Sequence, residues 1–432
     1  MRLSPGNCGG KRTVNGPSRS TQGDVALVLA GGGARGAYEI GALSALLPKL
    51  RDRGEYPDIM VGTSVGALNV AYYAATADKA EKDEDFADLL AEASRIWLSI
   101  HYEEVLKPVT SPSQIARIIN DIGDLVGVPW ARFMSVFDPA PLARTLHDLG
   151  LMGRIRRNVD RKKLKVAAVV ATGAYTGQSV VFHDGGKKRM KPDRWRGVEY
   201  VKTKLEVEHV RASAAIPAAF PAQKLSKPAD RSGYYFDGGT RLNTPIKPAI
   251  EFGADKVIVI ALNSPGRTSE NLPKGPPDGY DGLTQIMQAV LVDPLVNDLK
   301  TLTTVNAAIR ESSRGAGTDP KSAVNQRRKR ERKRRQIGYI FIAPKPDAIG
   351  DCAQRVYRDH YAFPRLASSS PSLSLLGHTL DAGKSSVRGE LFSYLFFAPE
   401  FARELIELGR KDAEAWLRRK HDHGPWDTGE LL

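Results

Sequence analysis

Residues 25–30, Val-Ala-Leu-Val-Leu-Ala, form an unbroken apolar run that opens onto three consecutive glycines, Gly31, Gly32 and Gly33. A strand that is apolar at every position has no solvent face, so it belongs inside a sheet covered on both sides. The pattern then recurs. Residues 37–53 carry helical spacing, and Asp58-Ile59-Met60-Val61 is a second short apolar run. Gly62-Thr63-Ser64-Val65-Gly66 turns sharply, and another helix starts at Ala67. Strand, glycine turn and helix, twice over within the first 75 residues, predict parallel strands joined by right-handed crossovers. The fold class read from this order is α/β.

Further strand patterns fall at residues 166–172, 178–183, 233–236, 256–261 and 338–342. Residues 112–160 hold helical stretches broken by Pro129, Pro139 and Pro141, a composition suited to a cap or lid. A Pro/Gly-rich loop from Asn263 to Gly282 closes the core, and a long helix is predicted over about 283–310. The expected organisation is a leader at 1–23 without order, a catalytic domain at 24–262, and a mostly helical C-terminal extension at 263–432 packed on the core. That extension carries a basic loop at 315–336.

Composition excludes several classes. With 41% apolar and 26% charged residues, the 432-residue chain is neither globally disordered nor fibrous. Its two cysteines, Cys8 and Cys352, cannot build a disulfide scaffold or a four-cysteine zinc site. No apolar run reaches the length of a membrane-spanning helix. Residues 1–23 are basic but lack the apolar stretch of a signal peptide. The expected location is therefore cytoplasmic, with peripheral attachment to a membrane; export by a route needing no such signal stays open. A net charge of +14 calls for an anionic partner, a lipid surface or a nucleic acid.

Ser64, flanked by Gly62 and Gly66 between a strand and a helix, has the setting of a nucleophile elbow. The turn lifts the hydroxyl above the sheet, and the helix beginning at Val65 aims N–H groups at the same place. The segment Gly31-Gly32-Gly33-Ala34-Arg35-Gly36 admits two readings. It fits the dinucleotide fingerprint at Gly31, Gly33 and Gly36, but the second strand ends in Val61-Gly62-Thr63-Ser64 without the acid that would hold a ribose. As an oxyanion hole it fits better, with Arg35 adding positive potential or fixing the loop. None of the eight histidines lies in a glycine turn after a strand. Asp237 does, between the strand Gly233–Phe236 and the pair Gly238-Gly239. A carboxylate in a dry pocket against the serine can serve as its base; the plain alternative is a turn residue.

These motifs together resemble the patatin-like phospholipases, the serine-aspartate lipid acyl hydrolases, of the bacterial type. The glycine-rich oxyanion segment (31–36), the G-x-S-x-G elbow (62–66), Ala212-Ser213-Ala214-Ala215-Ile216-Pro217 and the Asp-Gly-Gly turn (237–239) all occur in the family's order. The resemblance covers about residues 24–262. It implies a three-layer α/β/α core with a central mostly parallel sheet, a Ser64–Asp237 dyad, and neither a cofactor nor a metal. It further implies a phospholipase A type ester hydrolysis through an acyl-enzyme, with Gly32, Gly33, Ala34, Arg35 and Val65 around the oxyanion. An esterase on neutral lipids with the same dyad is the alternative, and a dinucleotide-binding protein using Gly31–Gly36 is the reading from another class.

Two further features suit docking. Arg327, Arg328, Lys329, Arg330, Arg332, Lys333, Arg334 and Arg335 form a run interrupted only by Glu331. With no aromatic residue interleaved, base stacking is not indicated and no nucleic acid is expected. An anionic phospholipid surface is the expected partner, with a solvated loop as the competing reading. Leu391-Phe392-Ser393-Tyr394-Leu395-Phe396-Phe397 is the most apolar aromatic stretch, read as core packing with acyl-chain contact as the minority alternative.

Overall fold

The computed structural model describes residues 23–105, 107–108, 137–138, 150–217, 220–265, 279–314, 336–362, 370, 373–374, 377 and 386–429. The basic run 327–335 and most of the expected cap at 112–160 lie outside these residues.

Nine strands make one sheet: β1 (Val25–Leu29), β2 (Ile59–Thr63), β3 (Val166–Gly173), β4 (Ser179–Gly185), β5 (Val198–Lys202), β6 (Gln223–Leu225), β7 (Gly233–Asp237), β8 (Lys256–Ile260) and β9 (Gly338–Ile342). The order is β9-β8-β1-β2-β3-β4-β5, with β7 paired to β3 and β6 to β7. From β9 to β3 all neighbours are parallel, and β4 and β7 run antiparallel to β3. Every residue of β1, β2, β3 and β9 is buried, as strands covered on both faces must be. The sheet is central, mostly parallel and helix-covered. It does not stop at residue 262: β9, from the C-terminal extension, is its edge.

The main helices are α1 (Gly36–Asp52), α2 (Val65–Ala75), α3 (Asp83–Ser99), α4 (Leu151–Asp160), α5 (Val207–Ser213), α6 (Ile246–Glu251), α7 (Gly279–Arg314), α8 (Ala348–His360), α9 (Ser386–Ser393) and α10 (Pro399–Arg418). Helix α10 lies against α1 at van der Waals range. A methyl group on Gly41 would meet the carbonyl of Ile406 at 1.9 Å, and one on Gly409 that of Tyr38 at 2.0 Å. Only glycine lets the two backbones come this close. The extension therefore packs directly on the first crossover helix of the catalytic core. No helix among the described residues is long and apolar enough to cross a membrane.

One feature of the sheet places the site. Strand β2 pairs with β3 up to Thr63↔Val170, and β7 approaches along the same flank of β3 from the other direction, ending at Asp237↔Ala171. The C-termini of β2 and β7 thus meet head to head on adjacent rungs of one strand. Ser64 is the next residue after the first, and Asp237 is the last of the second.

Candidate active site

Ser64 has φ 54° and ψ −125°, a left-handed backbone rare for a side chain with a Cβ. The surroundings hold it there. A Cβ on Gly62 would lie 2.3 Å from the Gly66 carbonyl oxygen, and one on Gly66 would lie 2.4 Å from that of Leu29. The elbow is therefore tight because both flanking residues lack side chains. Ser213, at the end of α5, completes the brace: its Oγ accepts the Ser64 N–H at 2.9 Å and donates to the Val170 carbonyl at 2.5 Å. The sequence marked Ser213 only as a member of the 212–217 motif, with no contact to assign.

The Asp237 carboxylate accepts the Gly239 N–H at 2.6 Å. Burial pushes its pKa up to about 7, against the lowering effects of the Ser64 hydroxyl and the Gly239 N–H. Gly238 lets this turn lie against β3, where a methyl would strike the Val170 oxygen at 2.3 Å. The carboxylate thus has only two donors in a dry setting, which makes it a better proton acceptor than an aspartate in water.

Asn243 ties the two glycine segments together. Its Oδ1 accepts the Gly31 N–H at 3.0 Å and its Nδ2 donates to the Gly31 carbonyl at 3.3 Å, while Gly239 packs on the same amide. Thr63 Oγ1 donates to the neighbouring Leu242 carbonyl at 3.0 Å. Nothing in the sequence set this asparagine apart, because its role depends on a neighbour 212 positions away.

The glycine loop is divided in its duties. Gly33, Ser64 and Val65 line one cavity. Among the described residues, no hydrogen bond occupies the N–H of Gly32, Gly33 or Val65. Ala34 differs from the expectation: its N–H donates to the Tyr394 carbonyl at 3.0 Å, so it anchors the C-terminal segment and is not available to an oxyanion. Arg35 also differs. Its fully buried guanidinium pairs with Glu390 at 2.9 Å, donates to Ser393 Oγ at 2.8 Å and Asn263 Oδ1 at 2.8 Å, and lies 3.7 Å from the centre of the Tyr394 ring. It fixes the loop. Gly36 opens α1, and its carbonyl accepts from Asn69 Nδ2. The backbone that a dinucleotide's pyrophosphate would need at Gly33 is covered by the Tyr394 carbonyl, 2.1 Å from where a Cβ would stand.

Removing one partner of a buried ion pair strands the other charge. Glu390→Ala is expected to lower unfolding free energy by about 3 kcal/mol, read from urea denaturation.

The cavity above Ser64 has a volume of about 110 Å³ and is almost wholly apolar. Leu68, Tyr72, Trp97, Ile216 and Phe220 line it from the core, and Tyr394, Leu395 and Phe397 close it from the extension. The aromatic stretch 391–397 is divided between the core and the cavity. Phe392 and Phe396 are fully buried, ring against ring at 4.4 Å, while Tyr394, Leu395 and Phe397 face the cavity. At its floor Asn69 joins three helices, donating to Glu39 at 2.7 Å and accepting from the Trp97 indole at 3.0 Å. Burial raises the Glu39 carboxyl well above the usual range.

A serine beside a buried carboxylate, with backbone amides on one side and an apolar cavity on the other, is equipped for acyl transfer. The family model for patatin-like phospholipase matches residues 27–250, just over half of the chain, and the chain belongs to that family. A patatin-like phospholipase domain-containing protein of Caenorhabditis elegans is 41% identical over 73 residues, 17% of this chain and 5% of that protein. A lysophospholipase of Aspergillus terreus is 39% identical over 84 residues, 19% of this chain and 5% of its own. Patatin-like phospholipase domain-containing protein 6 of Mus musculus is 27% identical over 248 residues, 57% of this chain. The matched region spans 14% or less of the length of these relatives. The crystal structure of VipD from Legionella pneumophila aligns over 91% of this chain and 66% of that chain, at 14% identity and a TM-score of 0.31, a likeness too slight to carry an inference.

Proposed function

We propose that this chain is a lipid acyl hydrolase of the phospholipase A type, cleaving carboxylic ester bonds of membrane phospholipids through Ser64 and Asp237. The observation that carries the reading is the meeting of Ser64 and Asp237 at the ends of two strands on adjacent rungs of β3, with the buried Asp237 carboxyl raised to about 7 and Ser64 lining an apolar cavity. The relative named a lysophospholipase supports a lipid ester as substrate.

In the proposed reaction Asp237 takes the Ser64 proton as Oγ bonds to the ester carbonyl carbon. Negative charge forms on the carbonyl oxygen, where the N–H groups of Gly32, Gly33 and Val65 meet it. Each such donor supplies about 3 kcal/mol to the transition state. The ester C–O bond breaks, and the lysolipid alkoxide leaves with the proton from Asp237. Water then attacks the acyl-serine, gives its proton to Asp237, and the fatty acid departs as Ser64 recovers its hydrogen. The acyl chain occupies the apolar cavity in both steps.

The test is a fluorophosphonate probe followed by peptide mapping, alongside lipid mass spectrometry of mixed phospholipids. Label on the Ser64 peptide with release of fatty acid and lysophospholipid is the expected result. Label at Ser64 with turnover of triacylglycerol alone would point to the neutral-lipid esterase. No label at Ser64 defeats the reading.

Because Leu395 closes the cavity while remaining partly exposed, its size should set chain length. Leu395→Ala is expected to raise the decanoyl-to-butyryl ratio of kcat/KM on p-nitrophenyl esters about tenfold, since each accommodated methylene contributes about 0.8 kcal/mol. Leu395→Trp should lower it.

A further inference from the structure

The large hydrophobic residues exposed among the described ones are Tyr175, Trp195, Tyr234 and Val305. The three aromatics share one place in the fold. Tyr175 lies in the turn between β3 and β4, beside Gly173, two rungs beyond Ala171 and its partner Asp237. Tyr234 is next to it: its carbonyl accepts the Ala174 N–H at 2.9 Å, and the two rings stand edge to face at 6.4 Å. Trp195 tips the turn that closes on the Asp193↔Val198 bridge, and Gly197 in that turn accepts the Ser179 N–H, with Ser179 paired to Thr172. Both turns and the start of β7 therefore stand at the end of the sheet that carries Ser64 and Asp237. At about 3.3 Å per residue and about 4.8 Å per strand, they rim the site at roughly 10–15 Å.

Exposure of this degree costs free energy in water. Trp195 is 99% exposed and Tyr175 89%, and neither is shielded by the fold. Tyrosine and tryptophan are the side chains that settle at a bilayer interface, with the ring among acyl carbons and the polar atom at the headgroups. The unpaired charges around them are mostly positive. Arg194, Lys224 and Arg241 are exposed and make no ion pair among the described residues. Lys224 lies directly across from Tyr234 in the β6–β7 pairing. Nearby acids are already matched, Asp193 with Lys247 and Glu199 with Arg231, leaving Asp230 on the hairpin as the exposed acid.

We propose that the turn around Tyr175, the Arg194–Trp195 turn and the β6–β7 hairpin form a docking rim that seats the protein on an anionic phospholipid bilayer with Ser64 facing the membrane. The proposal rests on the hydrolase reading for its orientation, but not for its readout. Because the rings are exposed, replacing them leaves the packed core untouched.

The experiment uses the full chain with vesicles of phosphatidylcholine, with and without 30% phosphatidylglycerol. Wild type should co-float with the anionic vesicles, and lipids brominated on the acyl chain should quench its tryptophan emission. Trp195→Phe should lose that quenching. Trp195→Ala should weaken co-flotation about tenfold, and Arg194→Glu combined with Lys224→Glu at least as much, with hydrolysis of a soluble short-chain ester unchanged in each. Wild type that ignores anionic vesicles, quenching that survives in Trp195→Phe, or equal binding by Trp195→Ala would overturn the rim. Tighter binding to a single-stranded oligonucleotide, lost in Trp195→Ala, would overturn the lipid assignment. Failure of the wild type to hydrolyse any ester while these vesicle results hold would sink the hydrolase reading alone.

Discussion

Ser64→Ala is expected to lower kcat/KM on a phospholipid or a soluble ester by about 10⁴-fold or more, to the limit that the backbone amides and the cavity sustain alone. Removing an acyl-transfer nucleophile elsewhere has effects on this scale, and the remaining members of a dyad do not compensate for one another. Alanine keeps the same backbone demand as serine at φ 54°, so the variant should fold. It also removes the hydroxyl that favours the ionised form of Asp237, so that carboxyl should titrate still higher in the variant. Single-turnover assays and a carboxyl-region NMR titration read the two outcomes. Retention of more than a few per cent of activity would mean that another group performs the attack.

The second expectation is a substitution that harms the chemistry and helps the fold. Asp237→Asn should reduce turnover by roughly 10³-fold, since an amide cannot take the serine proton. The stability effect follows from the sign of the shift. The carboxyl ionises at about 7 in the native protein and at 3.8 without its surroundings. Between those values the native state holds a proton that the unfolded chain has released, so stability declines as pH rises from about 4 to 7. Above that range the full penalty of a buried charge applies; below about 4 it vanishes. Asparagine carries no charge and still accepts the Gly239 N–H. The variant should be more stable than wild type by on the order of 2 kcal/mol at pH 8 and equal to it at pH 4, measured by denaturant unfolding at both values. By the same logic wild-type kcat/KM should rise with pH through an inflection near 7 and level off above it. A profile flat from pH 5 to 8 would remove Asp237 from the role of base.

What the sequence disclosed is tied to how each element is built. Val25–Leu29 and Lys256–Ile260 were legible because strands covered on both faces become continuous apolar runs. Ser64 was legible because a left-handed turn between close backbones demands glycine at 62 and 66. Other parts were hidden for equally physical reasons. The contact that engages Ala34 comes from the backbone carbonyl of Tyr394, and a carbonyl belongs to every residue type. Asn243 acts through its distance in space to Gly31 and Gly239, which no local pattern records. Arg35 could be placed in the loop but not aimed, because Glu390 and Ser393, its partners, are brought in by α9 from the far end of the chain. Trp195 has the same letter as the buried Trp97 and Trp426, and only the fold separates an outward ring from an inward one.

The junction at Val170 and Ala171 has a practical consequence. Ser64 and Asp237 are placed by two strands that pair with one interior strand, while Tyr394, Leu395 and Phe397 add a wall of the cavity from the C-terminal extension. Chemistry and selectivity are therefore separable inheritances. Leu395 and Phe397 could be redesigned to reshape the cavity while the spacing of Ser64 and Asp237 stays locked to neighbouring rungs of the sheet.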